Sequence, residues 1–192
     1  MKPTYSGFEA KKRSNFAQLP PPGVYLAEIQ GVKLEDSYDH SRENIVLMIE
    51  ITEGEFKGQY HKVFEEQKNS FGDKVKYRGT FRIVPFLEND EPWVKRKFEG
   101  NLWALYESNP GFEWDWDEKK LKGLKIGINV RKCFYEGNDG TEKETTEIGQ
   151  LESIVEVKAG KVKPMKERKQ KKNGSSSEGE ATDVTGQVEV PF

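Results

Sequence analysis

Aromatic and basic side chains lie close together in three short stretches of this sequence. Flat aromatic rings can stack on nucleobases of any sequence, and lysine and arginine can neutralise phosphates. A surface that holds both residue types could therefore bind a single-stranded nucleic acid. The candidate DNA-binding residues from the three stretches are Tyr38, Arg42, Tyr60, Lys62, Phe64, Arg131, Lys132 and Tyr135.

Each of these residues also has a purely structural interpretation. Tyrosine and phenylalanine are frequent in strands and often face a core, and we expect Phe64 and Phe134 to be core aromatics. Residues 1–157 carry 23 basic and 28 acidic side chains, a net charge of −5. Because affinity for phosphate comes from neutralised charge, DNA binding requires the basic residues to be segregated on one surface.

Catalytic motifs are weak in this sequence. His40 and His61 are the two histidines, and neither lies at a metal-ligand spacing. The phosphate-binding loop, nucleophile elbow and dinucleotide fingerprint are all missing. Asp36, Asp39 and His40 could hold a divalent ion in a nuclease, although such loop residues are usually just solvated. We therefore predict a non-enzymatic protein with no catalytic residue, no metal and no cofactor.

The candidates must be positioned by short strands with apolar alternation. In NIVLMIEIT, the side chains of Ile45, Leu47, Ile49 and Ile51 fall on one face, which should be core. The segment 79–86 is also strand-like, and a helix should begin at Asp90, Glu91 and Pro92 and end before Asn109. The predicted strands, in order, are 23–36, 44–52, 59–64, 124–135 and 145–157.

This order of three strands, one helix and two strands predicts a mainly β protein of the OB-fold class. That fold is a five-stranded Greek-key barrel, here with its helix between strands 3 and 4. Other small α+β folds fit the order less well. OB barrels bind ligands at strands 2 and 3 and at the loops joining strands 1 to 2 and 4 to 5, where the candidate residues fall.

Four regions are predicted along the chain. An extended arm (1–21) precedes the barrel (22–157), a basic linker (158–172) follows with net charge +7, and a disordered acidic tail (173–192) has net charge −4. The basic linker could lie on the DNA backbone or could be a solvated connection.

The single cysteine, Cys133, excludes an internal disulfide and should be a small core residue. Apolar runs are too short for a signal peptide or membrane span, which predicts a cytoplasmic protein.

Much of the chain resembles a family of small phage proteins. SNPGFEWDWDEKKLKGLKIG (108–127), with the preceding helix KRKFEGNLWALYE, is similar to proteins encoded among replication and recombination genes of phages that infect Gram-positive bacteria. GVYLAEI (23–29) and ITEGEFKGQY (51–60) also fit, so the resemblance covers most of 20–165. It implies single-stranded DNA binding in the host cytoplasm, with no individual contact residue carried over. Trp114 and Trp116 look like a family signature and are expected to plug the barrel.

The carboxyl terminus resembles a second group of proteins. Bacterial single-stranded DNA-binding proteins end in a flexible acidic segment that finishes in an aliphatic residue, proline and phenylalanine, as Val190, Pro191 and Phe192 do here. The Phe192 ring and terminal carboxylate could enter an apolar pocket beside a partner's Arg or Lys. One acid, Glu189, precedes the tip, where the bacterial proteins carry a dense cluster. The resemblance implies that Glu189 to Phe192 recruit replication or recombination enzymes.

These expectations describe a non-sequence-specific single-stranded DNA-binding protein of phage replication or recombination. A protein-protein adaptor would share the tail but bind DNA poorly, and a strand-annealing protein would also pair complementary strands. A metal-dependent nuclease would need His40 and its neighbouring acids. Many such binders are dimers or tetramers, and the sequence does not fix whether this one forms a homo-oligomer.

Overall fold

The computed structural model describes residues 17–137 and 140–169 and is mainly β, as predicted. Its described part contains one six-stranded sheet, three α-helices and a short 3₁₀ helix, Glu118–Leu121. None of the helices within the described ranges is long and apolar enough to cross a membrane. The strands are β1 (Gly23–Asp36), β2 (Glu43–Ile51), β3 (Thr80–Ile83), β4 (Lys125–Glu136), β5 (Glu142–Glu152) and β6 (Arg168–Lys169). The helices are α1 (Gln59–Phe71), α2 (Pro92–Ser108) and α3 (Ile154–Lys158).

The sheet has the order β3-β2-β1-β4-β5, with every neighbouring pair antiparallel. The short β6 pairs in parallel with β4 at Cys133 and Phe134. The two ends of the sheet, β3 and β5, face each other without a backbone ladder between them among the described residues. A hydrogen bond of 3.1 Å from Arg78 to the Thr145 hydroxyl crosses this gap. The sheet is therefore not closed into the predicted barrel.

The predicted apolar face of β2 is confirmed as core. Ile45, Leu47, Ile49 and Ile51 are all buried, and α2 packs Phe98 and Leu105 into the same cluster. The predicted limits of α2 are also confirmed, because Pro92 is its first residue and the Asn109 amide bonds the Leu105 carbonyl at 2.8 Å. Cys133 is buried on β4, as expected.

The prediction of a third strand at 59–64 is wrong, because these residues begin α1. Six alternating residues, QYHKVF, suit a strand, but EEQK continues the segment with residues that favour a helix. Tyr60 and Val63, three residues apart, are the buried residues of this helix. The third strand is β3, within the strand-like segment 79–86.

A carboxylate on β2 fixes the start of α1. The Glu50 side chain accepts hydrogen bonds from the backbone N–H of Tyr60 at 3.1 Å and of His61 at 2.6 Å, and from the Tyr77 hydroxyl at 3.0 Å. An anion at the amino end of a helix satisfies its free N–H groups and complements its dipole. The local sequence pattern of 59–64 is equally compatible with a strand and a helix. The long-range contact with Glu50 therefore supports the helical conformation.

The carboxyl-terminal part of the body also differs from expectation. The fifth strand ends at Glu152, so its predicted extension to 157 is wrong. Ser153 instead caps α3 by accepting a hydrogen bond from the Val155 N–H at 3.1 Å, and Ser-x-x-Glu is a helix-start signature. Beyond α3, Asn129 bonds the backbone of Lys163 and Met165, at 2.9 and 3.3 Å. The described part of the predicted basic linker, 158–169, thus packs on the sheet.

The end of the predicted amino-terminal arm packs on the body as well. Pro20 is buried and its carbonyl accepts a hydrogen bond of 2.9 Å from the Thr146 hydroxyl on β5. The Ala17 N–H bonds Glu66 of α1 at 2.6 Å. Residues 17–20 therefore connect α1 to β5, whereas 1–16 lie outside the described residues.

Candidate nucleic-acid interface

A basic groove of about 440 Å³ occupies the gap between β3 and β5. Among the described residues, its walls contain six basic side chains and one acidic side chain, Glu147. The chain as a whole has a net charge of −2, so this local excess is a strong segregation of charge. Such a positive concave surface concentrates anions. The basic residues of this groove are Lys76, Arg78, Arg82, Lys97, Arg131 and Arg168.

The positive charge is densest around Glu147 on β5. Its Oε1 atom accepts hydrogen bonds from Arg131, at 2.8 and 2.9 Å, and from Arg168, at 3.3 Å. The Lys97 amine lies close enough to interact with all three groups. Arg131 and Arg168 thus pair with one carboxylate and Lys97 lies near it without an ion pair to a described residue, so three positive charges at this point face one negative charge.

The effect of this crowding is seen at Lys97. Partial desolvation and the positive charges of Arg131 and Arg168 lower the pKa of its amine, although Glu147 opposes them. Lys76, Arg78 and Lys97 form no ion pair with any described residue. A phosphate entering here would supply the missing negative charge and would raise the pKa of Lys97.

The groove continues past Lys97 into a second cavity of about 420 Å³ between α2 and β5. The two cavities share Phe81, Lys97, Arg131 and Gly149. The second cavity adds Trp103, whose side chain is 49% exposed, and also the acids Glu152 and Glu156. The groove therefore changes along its length from a strongly basic end to an end with mixed charge and an aromatic wall.

Of the eight predicted contact residues, Arg131 lines the basic groove. Tyr60 is buried in the core, so the prediction that it contacts a ligand is wrong. Lys62 and Phe64 lie on α1, not on a strand. Lys62 is exposed, and Phe64 is half-buried with its ring 5.8 Å from that of Tyr77, which also makes the predicted core role of Phe64 wrong.

Tyr38 and Arg42 lie in the loop between β1 and β2, as expected, but they do different things. The Tyr38 side chain is fully exposed. The Arg42 guanidinium bonds both oxygens of Asp90, at 2.5 and 2.7 Å, and the Pro85 carbonyl at 2.9 Å. Arg42 therefore ties the loop to the start of α2, and its charge is neutralised there.

Lys132 and Tyr135 lie farther along the β4–β5 hairpin. Lys132 is 3.0 Å from Glu144, and its amine lies 5.5 Å from the centre of the Phe134 ring. Phe134 is half-buried and is outside the core cluster, so its predicted core role is wrong. Since neighbouring side chains of a strand face opposite sides, Lys132 faces away from Arg131 and from the groove.

The groove residues that sequence reasoning missed do leave a signal. In KVKYRGTFRI (74–83), positions 74, 76, 78 and 82 are basic and position 80 is threonine, and Lys76, Arg78, Thr80 and Arg82 all line one groove. Two-residue spacing places side chains on the same side of an extended chain. Lys97 and Arg168 gave no comparable signal, because their proximity depends on the packing of α2 against β5 and on the pairing of β6 with β4.

Trp114 and Trp116 do not act together as a plug. Trp114 is half-buried against the core, whereas the Trp116 side chain is 67% exposed and has a backbone φ of 70°. Its ring stacks on Phe98 with the two planes 7° apart. The prediction that both tryptophans fill the interior is therefore wrong for Trp116.

The loop acids are engaged within their own loop. Asp39 Oδ1 accepts hydrogen bonds from the Ser37 and Ser41 hydroxyls, which lower the pKa of Asp39 to about 2. Asp36 lies 3.5 Å from His40. No group of three or more His, Cys, Asp or Glu within 17–137 and 140–169 is arranged to hold a metal ion.

The predicted partner-binding tip, Glu189 to Phe192, lies outside the described residues, together with the rest of the acidic tail and residues 170–172 of the predicted linker. Comparison of the chain with models of known protein families and with curated proteins finds no match.

Proposed function

We propose that this protein binds single-stranded DNA without sequence preference through the groove between β3 and β5. The observation that carries the proposal is an excess of positive charge: Arg131 and Arg168 pair with the one carboxylate of Glu147, and Lys97 beside them forms no ion pair with a described residue. Regularly spaced phosphates are the ligand that such an uncompensated row of charges suits best. Two aromatic side chains on these walls, the half-buried Tyr77 and the half-exposed Trp103, provide surfaces for the bases.

The architecture is compatible with this role. Its five main strands carry a helix, α2, between the third and the fourth, and the sheet is open between its two ends. OB-folds are partly open five-stranded barrels that bind oligonucleotides. We propose that the domain belongs to this class, with a binding groove at the open edge in place of the loop between β1 and β2.

The proposed setting is phage DNA replication or recombination in the cytoplasm of the bacterial host. Resemblance of 20–165 to a phage family, and of the last residues to bacterial single-stranded DNA-binding proteins, supports this part of the proposal. Val190, Pro191 and Phe192 would recruit other enzymes of DNA metabolism while the groove holds the strand. Self-association would let neighbouring copies cover a longer strand.

The test is fluorescence anisotropy of labelled oligo-dT with the full chain and with a chain truncated after Gly174, over a salt series. We expect affinity to fall linearly with salt on a log-log plot, with a slope of about 0.7 for each phosphate contact. Truncation of the acidic tail should leave binding unchanged or stronger. Failure of both chains to bind oligo-dT at low salt would overturn the proposal.

A protein-protein adaptor is a second candidate, favoured by a separate apolar surface. Trp116 combines an exposed ring with a backbone conformation that is rare for a bulky residue, and Phe86 and Leu87 are also exposed. Exposed, strained aromatic residues often belong to binding sites. If the folded protein does not bind DNA, or binds it in a way that does not depend on salt, a protein-protein adaptor becomes the better assignment.

A further inference from the structure

Gly100 is an unusual residue in the middle of α2. Glycine weakens a helix interior, because it has the largest backbone entropy in the unfolded chain. Packing does not require it here, since a Cβ atom at Gly100 would meet nothing within 4 Å. Its backbone conformation does not require it either, because Gly100 is within a regular α-helix with no positive φ. The fold alone therefore gives no reason for glycine at this position.

Gly149, on the opposite wall of the groove, provides a contrast. A Cβ atom at Gly149 would lie 2.6 Å from the Met165 sulfur and 3.0 Å from atoms of the Arg131 side chain. Close packing between β4, β5 and the segment before β6 thus explains that glycine. Gly100 lines the second cavity and has free space around it among the described residues, so a side chain there would take room from a ligand in this cavity.

The neighbours of Gly100 are suited to a nucleobase. Trp103 lies one turn later on α2, Arg96 lies one turn earlier, and both line the second cavity together with Gly100. Trp103 makes no ring contact with any other described aromatic residue, and its side chain is half exposed. An unoccupied indole face beside a patch of bare backbone leaves room for a flat ring.

Charge along the groove indicates which part of a nucleotide would lie here. Glu152 and Glu156 on the wall of the second cavity would repel phosphate, whereas Lys97 and Arg131 lie at its boundary with the basic groove. A strand would therefore place its phosphates along the basic end and turn a base toward α2.

We propose that Gly100 and Trp103 form a base-stacking platform on α2, in which a nucleobase lies against the bare helix backbone and stacks on the Trp103 indole. This inference rests on the proposed DNA-binding function and assigns to α2 the recognition of the base. Stacking of this kind is tolerant of sequence, because every base has a flat face.

The first experiment compares Trp103→Ala with Trp116→Ala, which removes a more exposed indole outside the groove. Each variant and the full-length parent are titrated with oligo-dT and with an abasic oligonucleotide of the same length. We expect Trp103→Ala to weaken oligo-dT binding about tenfold and to leave abasic binding unchanged, whereas Trp116→Ala should change neither. Thermal melts of all three proteins identify any loss of fold.

The second experiment is Gly100→Ala. This change should raise the melting temperature, because alanine favours a helix and its methyl group meets no protein atom. It should nevertheless weaken oligo-dT binding several-fold and leave abasic binding unchanged. Higher thermal stability with weaker base-dependent binding is a combination that a purely structural role of Gly100 does not produce.

Two failures are distinguishable. If the parent protein binds neither oligonucleotide, the proposed function is wrong. If the parent binds oligo-dT in a salt-dependent way, but Trp103→Ala and Gly100→Ala bind it equally well, the platform on α2 is wrong and the groove assignment stands.

Discussion

Two groups of cations in this protein differ in how they are neutralised. Arg42 and Lys132, at the periphery, each have a carboxylate of their own, Asp90 at 2.5 Å and Glu144 at 3.0 Å. In the groove, Arg131 and Arg168 share Glu147, and Lys97 lies near them without an ion pair to a described residue. Residue type alone places both groups among candidates for phosphate binding. From the counter-ions we infer that the first group serves the fold and that the second has charge available for a ligand.

Removal of groove charge should have the largest effect on function. We expect Lys97→Gln combined with Arg168→Gln to weaken oligo-dT binding about a hundredfold at low salt, since two charge-assisted contacts are lost. The slope of log affinity against log salt should also become shallower, by about 1.4. Both quantities come from anisotropy titrations over a salt series.

The matched control is Lys95→Gln combined with Lys120→Gln, which removes the same charge from ion pairs outside the groove, with Glu99 and Asp115. Its affinity should change by less than about twofold. Equal losses in the two double variants would mean that net charge, and not the groove, governs binding.

Disruption of the peripheral Arg42–Asp90 pair should lower stability and leave DNA binding unchanged. Asp90→Asn removes the carboxylate that accepts hydrogen bonds from Arg42 and, at 2.7 Å, from the Leu87 N–H. We expect the melting temperature to fall by several degrees, because the loop between β1 and β2 loses its tie to α2. Oligo-dT affinity should be unchanged. A large loss of affinity with an unchanged melt would place Arg42 and its loop back in the binding site.

The sequence predicted the fold better than the site for a physical reason. β1, β2, α2 and β4 could be located from periodicity, a property of neighbouring residues. α1 could not, because Glu50 of β2 supplies the hydrogen bonds that begin it. Site prediction depends even more on distant contacts: Arg42 is neutralised by a residue 48 positions away, and Arg168 meets Glu147 only after β6 returns to the sheet.

Removal of the shared carboxylate should strengthen binding. In Glu147→Gln, the three cations lose the one acidic side chain among the described residues of the groove wall, so we expect oligo-dT to bind about fivefold more tightly at low salt while the melting temperature decreases. Glu144→Gln, which frees the peripheral Lys132, is the control and should leave affinity unchanged. Weaker DNA binding by Glu147→Gln, with the fold intact, would show that Glu147 positions the arginines rather than competing with phosphate.

The smallest expected effect is a pH dependence of binding that originates at Lys97. Its pKa is lowered from the ordinary 10.5 by desolvation and by Arg131 and Arg168, so the free groove loses this charge at a lower pH than an exposed lysine would. Between that lowered pKa and 10.5, the affinity of the protein for oligo-dA should fall about threefold as pH rises. Oligo-dA replaces oligo-dT in this experiment because thymine itself ionises in alkali. Over the same interval the unfolded chain holds one more proton than the native protein, so the free energy of unfolding should rise with pH. Lys97→Arg stays charged and should abolish both trends, whereas an unchanged pH profile in Lys97→Arg would assign the titration to another group.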